Sequence, residues 1–177
     1  RVLFRSHPLS AKLPAHERCE AGQRWRWDEV QFEVLHPQAS DYIHARKSNA
    51  LSCVIKVTDA RGQRLLLTGD IEAPQERDLL QRDPERLSAE VLMVPHHGSR
   101  TSSTLEFLQS VQPQVAVVQA AYRSRFGHPA PDVVARYEDQ GIKLVRSDQC
   151  GAYTWPGSLC ERELRRRYWH HLPPQPL

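Results

Sequence analysis

The 177-residue sequence predicts an α/β fold with helices layered on a sheet, and two observations carry that prediction. From about residue 64 onward, short apolar runs alternate with amphipathic stretches in the order strand, helix, strand, helix, strand, helix, strand. The runs "AEVLMVP" (89–95) and "QVAVVQA" (114–120) are apolar without alternation, which marks strands buried on both faces and so covered by other layers. Composition agrees: 40% hydrophobic and 25% charged residues describe an ordinary globular chain, long enough for one domain with a real core. The apolar run at 115–121 is far shorter than the ~20 residues of a membrane span, and no secretory signal is visible. A formal charge of +3 is too small to demand a nucleic-acid partner and does not oppose one.

The elements follow in order. The first twenty residues, with Pro8 and Pro14 and no sustained period, read as irregular chain. "RWRWDEVQFEVLHP" (24–37) alternates, predicting two strands joined at Asp28-Glu29 with Trp25, Trp27, Val30, Phe32 and Val34 facing inward. Residues 51–70 form a second strand pair turning at Ala60-Arg61-Gly62. "PQERDLLQRD" (74–83) is a helix opened by Pro74, with Leu79 and Leu80 on its apolar face. A helix over 102–111 is predicted from Ser103 and Glu106 spaced as a capping box, and another over 131–141 is stopped by Gly141. "IKLVRS" and "GAYTW" complete the series as two more strands. Residues 1–160 make the domain. Residues 161–177 form a basic, proline-ending tail with Arg162, Arg165, Arg166 and Arg167, a mobile end suited to an acidic partner.

Four cysteines show no CxxC pair, which argues against a structural zinc ribbon. Cys53 lies in an apolar strand and reads as a small buried hydrophobe. Cys19, Cys150 and Cys160 flank turns and are available for a disulfide in an oxidising compartment.

Chemistry gathers at strand ends. Asp70 follows "RLLLTG", where a carboxylate either faces a cleft from rigid backbone or simply turns the chain and caps a helix. His96 and His97 follow "VLMV" through Pro95; in extended backbone their side chains point to opposite sides. Gly98 permits a tight turn, and Ser99, Thr101, Ser102 and Ser103 lead into a helix, an arrangement that suits a phosphate, while plain N-capping also explains Ser103. His128, in "RFGHP", sits at a third strand-to-helix connection. Oxygen and imidazole donors along one sheet edge suit zinc or manganese, and two such ions would clamp a phosphoester.

These residues together resemble the metallo-β-lactamase superfamily, and within it the C-terminal hydrolase-like domain of ComEC-type DNA-uptake proteins. The likeness runs through Cys19, Gly22, Trp25, Trp27 and "FEVLHP", Asn49 and Ser52, "LLLTGDIE", "VLMVPHHGSRTSS", "RFGHP" and Gly151-Ala152. It implies a mixed sheet with packed helices, part of an αββα sandwich, and a dinuclear zinc or manganese nuclease site. It implies metal-ligand roles for Asp70 (bridging) and His96, catalytic roles for His97 and His128 in phosphate contact or proton transfer, and phosphate or DNA contacts for Ser99, Thr101 and Ser102. Asn49 stands where many relatives of that superfamily place a metal-binding histidine, and Ser124 replaces an expected asparagine. The superfamily's main HxHxDH-type cluster does not occur: His7, His16, His36 and His44 are isolated. The chain, which starts at Arg1, is thus expected to be the second half of the sandwich, inactive alone and retaining no metal by itself.

Two functions follow from the resemblance. One is a metal-dependent hydrolase of DNA phosphodiesters in the parent protein. The other is a non-catalytic metal- and phosphate-binding module that holds single- or double-stranded DNA during uptake. The parent would lie in the inner membrane and this domain outside the cytoplasm, meeting the membrane only through parent segments. An uncovered apolar sheet face would favour a homo-oligomer.

Overall fold

A computed structural model of the chain describes residues 17–44, 47–121, 124, 126–157 and 159–164. The expectations for residues 1–16 and for the tail beyond residue 164 lie outside these residues. The chain forms β1 (Arg24–Trp27), β2 (Val30–His36), α1 (Asp41–His44), β3 (Val54–Thr58), β4 (Arg64–Leu67), α2 (Ala73–Arg82), β5 (Val91–Met93) and α3 (Leu105–Val111). It continues with β6 (Val115–Val118), α4 (Pro131–Asp139), β7 (Lys143–Arg146), α5 (Ser147–Cys150), β8 (Tyr153–Thr154), β9 (Leu159–Cys160) and α6 (Glu161–Leu164).

β1 to β7 make one mixed sheet whose spatial order follows the chain. β1 to β4 are antiparallel neighbours, and β4 to β7 run parallel. The first hairpin closes at Asp28 and Glu29, both with positive φ (46° and 65°), the backbone of a type I′ turn that matches strand twist without a glycine. In the second, the Asp59 carboxylate accepts the N–H groups of Arg61 and Gln63, which folds the turn around Gly62.

Register sets Leu66, Leu92, Ala116 and Leu144 abreast. Because side chains alternate along a strand, these residues share one face. On that face α2, α3 and α4 bury Leu79, Phe107, Leu108, Val111, Val133 and Tyr137 against the sheet in a single core. The opposite face carries Phe32, Ile55, Val57, Leu65, Leu67 and Met93, all half-buried. Among the described residues, a buried cluster on this face lies at its β6–β7 end, where Tyr153 and Cys160 pack on Val115, Val145 and Cys150. The α/β prediction with packed helices therefore holds, with the long helices on one face of the sheet.

Four expectations need correction. Trp27 is not inward; it is 70% exposed, because Trp27 pairs with Val30 while the β2–β3 ladder starts only at Gln31, beyond the reach of β3. "GAYTW" adds no strand to the main sheet: β8 pairs with β9 in a separate two-stranded ribbon. α3 begins at Leu105 after Thr104, and Ser103 has a φ of 59°, so no Ser103 capping box forms. Cys53 is not a lone hydrophobe but is disulfide-bonded to Cys19, and Cys150 pairs with Cys160.

Candidate functional site

The carboxyl ends of β4 and β5 and the β6–α4 connection converge, as ligand-binding edges of parallel sheets do. At the end of β4, Gly69 turns with φ 56°, and a Cβ there would come within 3.0 Å of Ser52 Cβ. The following Asp70 N–H donates to Ser52 Oγ at 3.1 Å, which fixes the turn. The Asp70 side chain stays 42% exposed, and its Oδ1 lies 3.5 Å from His97 Nε2.

His96 and His97 are not extended. Both adopt left-handed backbone (φ 46° and 56°) inside a 3-10 turn at Pro95–Gly98, held where the His96 N–H donates to the Gly69 carbonyl at 3.0 Å. The two rings still diverge. His97 Nδ1 lies 3.0 Å from the Gln119 carbonyl, and since a carbonyl only accepts, Nδ1 carries the proton. In the neutral ring, Nε2 then turns a lone pair toward Asp70. His96 Nδ1 lies 3.3 Å from Glu72 Oε1 without hydrogen-bond geometry, and among the described residues this buried nitrogen has no hydrogen-bond partner. Its Nε2 faces the Asn49 amide at 3.4 Å. His128 sits edge-on to His96, ring centroids 5.9 Å apart. Burial first, then the nearby His96 and His97, push the His128 pKa below its ordinary value.

The donor chemistry gives a test of fit to a metal. Two ligands of one zinc ion, each about 2.0–2.2 Å from it in tetrahedral geometry, stand about 3.4 Å apart. Asp70 with His97, and Glu72 with His96, show that nitrogen-to-oxygen spacing. Each is only a pair: among the described residues no group of three His, Cys, Asp or Glu side chains converges on one point. The spacing fits a metal; the number of donors does not complete a site.

The loop after the histidines is tightly packed. Gly98 has φ 77°, and a Cβ there would fall 2.6 Å from Pro129 Cβ, so His128-Pro129 and the histidine turn are pressed together. Ser99 Oγ contacts Thr101 Oγ1 at 3.1 Å. Thr101 is exposed and Ser99 buried. The Ser102 hydroxyl is buried and directed at the carbonyls of Pro95 (2.9 Å) and Ser99 (3.0 Å). Ser103 Oγ meets Tyr137 Oη at 3.1 Å, and Arg136 donates to the carbonyls of Ser102 and Ser103.

Sequence reasoning missed two contributors. Glu72 reaches His96 and also caps α2 through a box with Gln75; its signal is its place two residues after Asp70 in "GDIE". Glu76 is buried and binds the loop from behind through the backbone of Ser103 and Thr104. Nothing in a surface-patterned helix sequence announces that.

No protein-family model matches the chain. Known relatives do. Competence protein ComA of Neisseria gonorrhoeae is 39% identical over 158 residues, 86% of this chain and 22% of the relative. Uncharacterized protein YcaI of Escherichia coli is 36% identical over 163 residues, covering 88% of this chain and 21% of its own length. ComE operon protein 3 of Bacillus subtilis is 34% identical over 137 residues, 77% of this chain and 17% of the relative. The homologues of this chain thus include competence proteins, and it spans about a fifth of the length of these relatives.

Proposed function

We propose that this chain is one half of a metal-dependent phosphodiesterase domain in a protein of natural transformation, with DNA as substrate. The observation that carries the reading is the pair of carboxylate–imidazole contacts, Asp70 with His97 and Glu72 with His96, at ligand-to-ligand spacing on the carboxyl edge of the sheet. Relatives that are competence proteins supply the substrate class. A bound zinc or manganese pair would provide Lewis acidity and an activated water at neutral pH. The chain's own part is to orient donors: Ser52 fixes Asp70, Gln119 fixes the His97 tautomer, and Ser102 and Glu76 hold the loop. In this reading Thr101 offers its exposed hydroxyl to a phosphate oxygen, with buried Ser99 behind it, while Ser102 acts by shaping the turn.

The remaining donors, in this reading, come from a preceding segment of a longer protein. The half-buried apolar face of Phe32, Val57, Leu65 and Met93 supports a metallo-β-lactamase-type sandwich, in which a second sheet covers it; a second copy of the chain is the alternative cover. The two disulfides support a location outside the cytoplasm.

In the full-length protein, Asp70→Asn should abolish metal-dependent DNA cleavage. Unchanged cleavage would overturn the assignment. Asn49 facing His96 favours a second reading, a module that holds DNA without cutting it, since a neutral amide is a poor ligand. DNA retained but never cut by the full-length protein with either metal would select it.

A further inference from the structure

Away from the histidines, the antiparallel half of the sheet carries a second cluster of charge. Register places Arg24, Glu33 and Lys56 abreast, with Arg26, Gln31, Thr58 and Arg64 abreast in the next row on the same face. The two rows lie about 7 Å apart along the strands. Arg86, from the 3-10 turn at Pro84–Leu87, leans over Glu33 at 2.5 Å. Together these strands line an open groove of about 570 Å³.

The charges do not balance. Glu33 is shared by Arg24 and Arg86, and Glu90 is taken by Arg64. Lys56 has no carboxylate partner among the described residues: its Nζ donates to the Arg86 carbonyl at 2.8 Å. Arg26 is exposed and makes no ion pair with a described residue. Burial, then the neighbouring Arg64, lowers the Lys56 pKa, as expected for a cation set among cations. Cations on an outer strand also block edge-to-edge pairing, which accounts for Arg24 and Arg26 on β1. That reason does not reach Lys56 on β3, which is paired on both sides. An anion in the groove would relieve its unmatched charge.

The groove is open and its cations stand in rows, which suits a chain of phosphates better than a single ion.

We propose that this groove is a track for single-stranded DNA, with backbone phosphates on Arg26 and Lys56. The identity of the polyanion rests on the DNA-uptake reading; the groove itself is separate from the Asp70 and histidine cluster.

The test is the anisotropy of a fluorescein-labelled oligothymidylate, titrated with the chain in EDTA at several salt concentrations. Arg26→Glu should weaken binding about tenfold at low salt and lower the slope of log K against log salt by about one. Lys143→Glu, an equal charge change at the exposed first position of β7, should weaken it less than about twofold. Trp27→Ala, on the opposite face of β1, should leave binding unchanged. No binding by the unaltered chain, equal losses from Arg26→Glu and Lys143→Glu, or tighter binding of the matching duplex would each overturn the proposal. EDTA keeps this result independent of the hydrolase reading. In the full-length protein, Arg26→Glu should leave hydrolysis of bis(p-nitrophenyl) phosphate intact, whereas Asp70→Asn should abolish it.

Discussion

The carboxylate of Glu76 on α2 accepts the backbone N–H of Ser103 at 2.6 Å, and its second oxygen accepts that of Thr104 at 2.8 Å. A buried side chain from one helix thus satisfies the entry of the next, at a residue whose φ of 59° only outside support maintains. The histidine turn lies directly upstream, so this contact ties the candidate site to the helix layer.

Removing that acceptor leaves two N–H groups buried without partners. Glu76→Ala should lower stability by about 2–5 kcal/mol, read from urea denaturation midpoints. Glu76→Gln, which keeps one acceptor oxygen, should cost less.

Glu76 also sets a pH dependence. Burial, acting against its hydrogen bonds to the Ser103 and Thr104 segment, raises its pKa above the ordinary 4.5. A raised carboxyl favours the folded state while protonated. That contribution is present below about pH 4.5 and is lost as pH rises to the folded-state value. The stability difference between the unaltered chain and Glu76→Gln should therefore shift against the unaltered chain as pH rises through that window. A pH-independent difference would show that Glu76 does not titrate between the two states.

His36 has the opposite sign. It is buried, and desolvation lowers its pKa below 6.5 despite its contact with the Ala50 carbonyl at 2.9 Å and the nearby Asp41. Folding opposes its protonation, so its contribution is full above 6.5 and is lost as pH falls toward the folded-state value. His36→Gln should flatten the acid limb of the stability curve, as monitored by circular dichroism.

Much of this was legible in the chain because local chemistry and global fold agree. The alternation of residues 24–37 located a hairpin, and the unbroken apolar runs located β5 and β6, because each pattern matches its exposure. Trp27 departs from the expected inward position because alternation gives the side of a strand, not whether a neighbouring strand extends far enough to cover it. The Ser103–Glu106 spacing misled for a related reason: a carboxylate 27 positions upstream took over the capping role. Asp70, His96, His97 and His128 were all found at one edge, but which imidazole faces which carboxylate depends on two left-handed residues that no spacing rule anticipates.

Gly98 tests how closely the loop is held. Gly98→Ala meets both an unfavourable φ of 77° and the Pro129 ring at 2.6 Å, and should cost about 2–5 kcal/mol in a urea titration. Gly127→Ala, with nothing within 4 Å, should cost only the backbone term, about 1–2 kcal/mol.

Bound metal, counted by plasma mass spectrometry after loading with zinc or manganese and gel filtration, decides whether the site is shared with another segment. The 177-residue chain should retain none, while a longer polypeptide continuing on its N-terminal side should retain two, and lose them on Asp70→Asn. One or more tight ions held by the shorter chain, or none held by the longer one, would contradict a site completed from outside these residues.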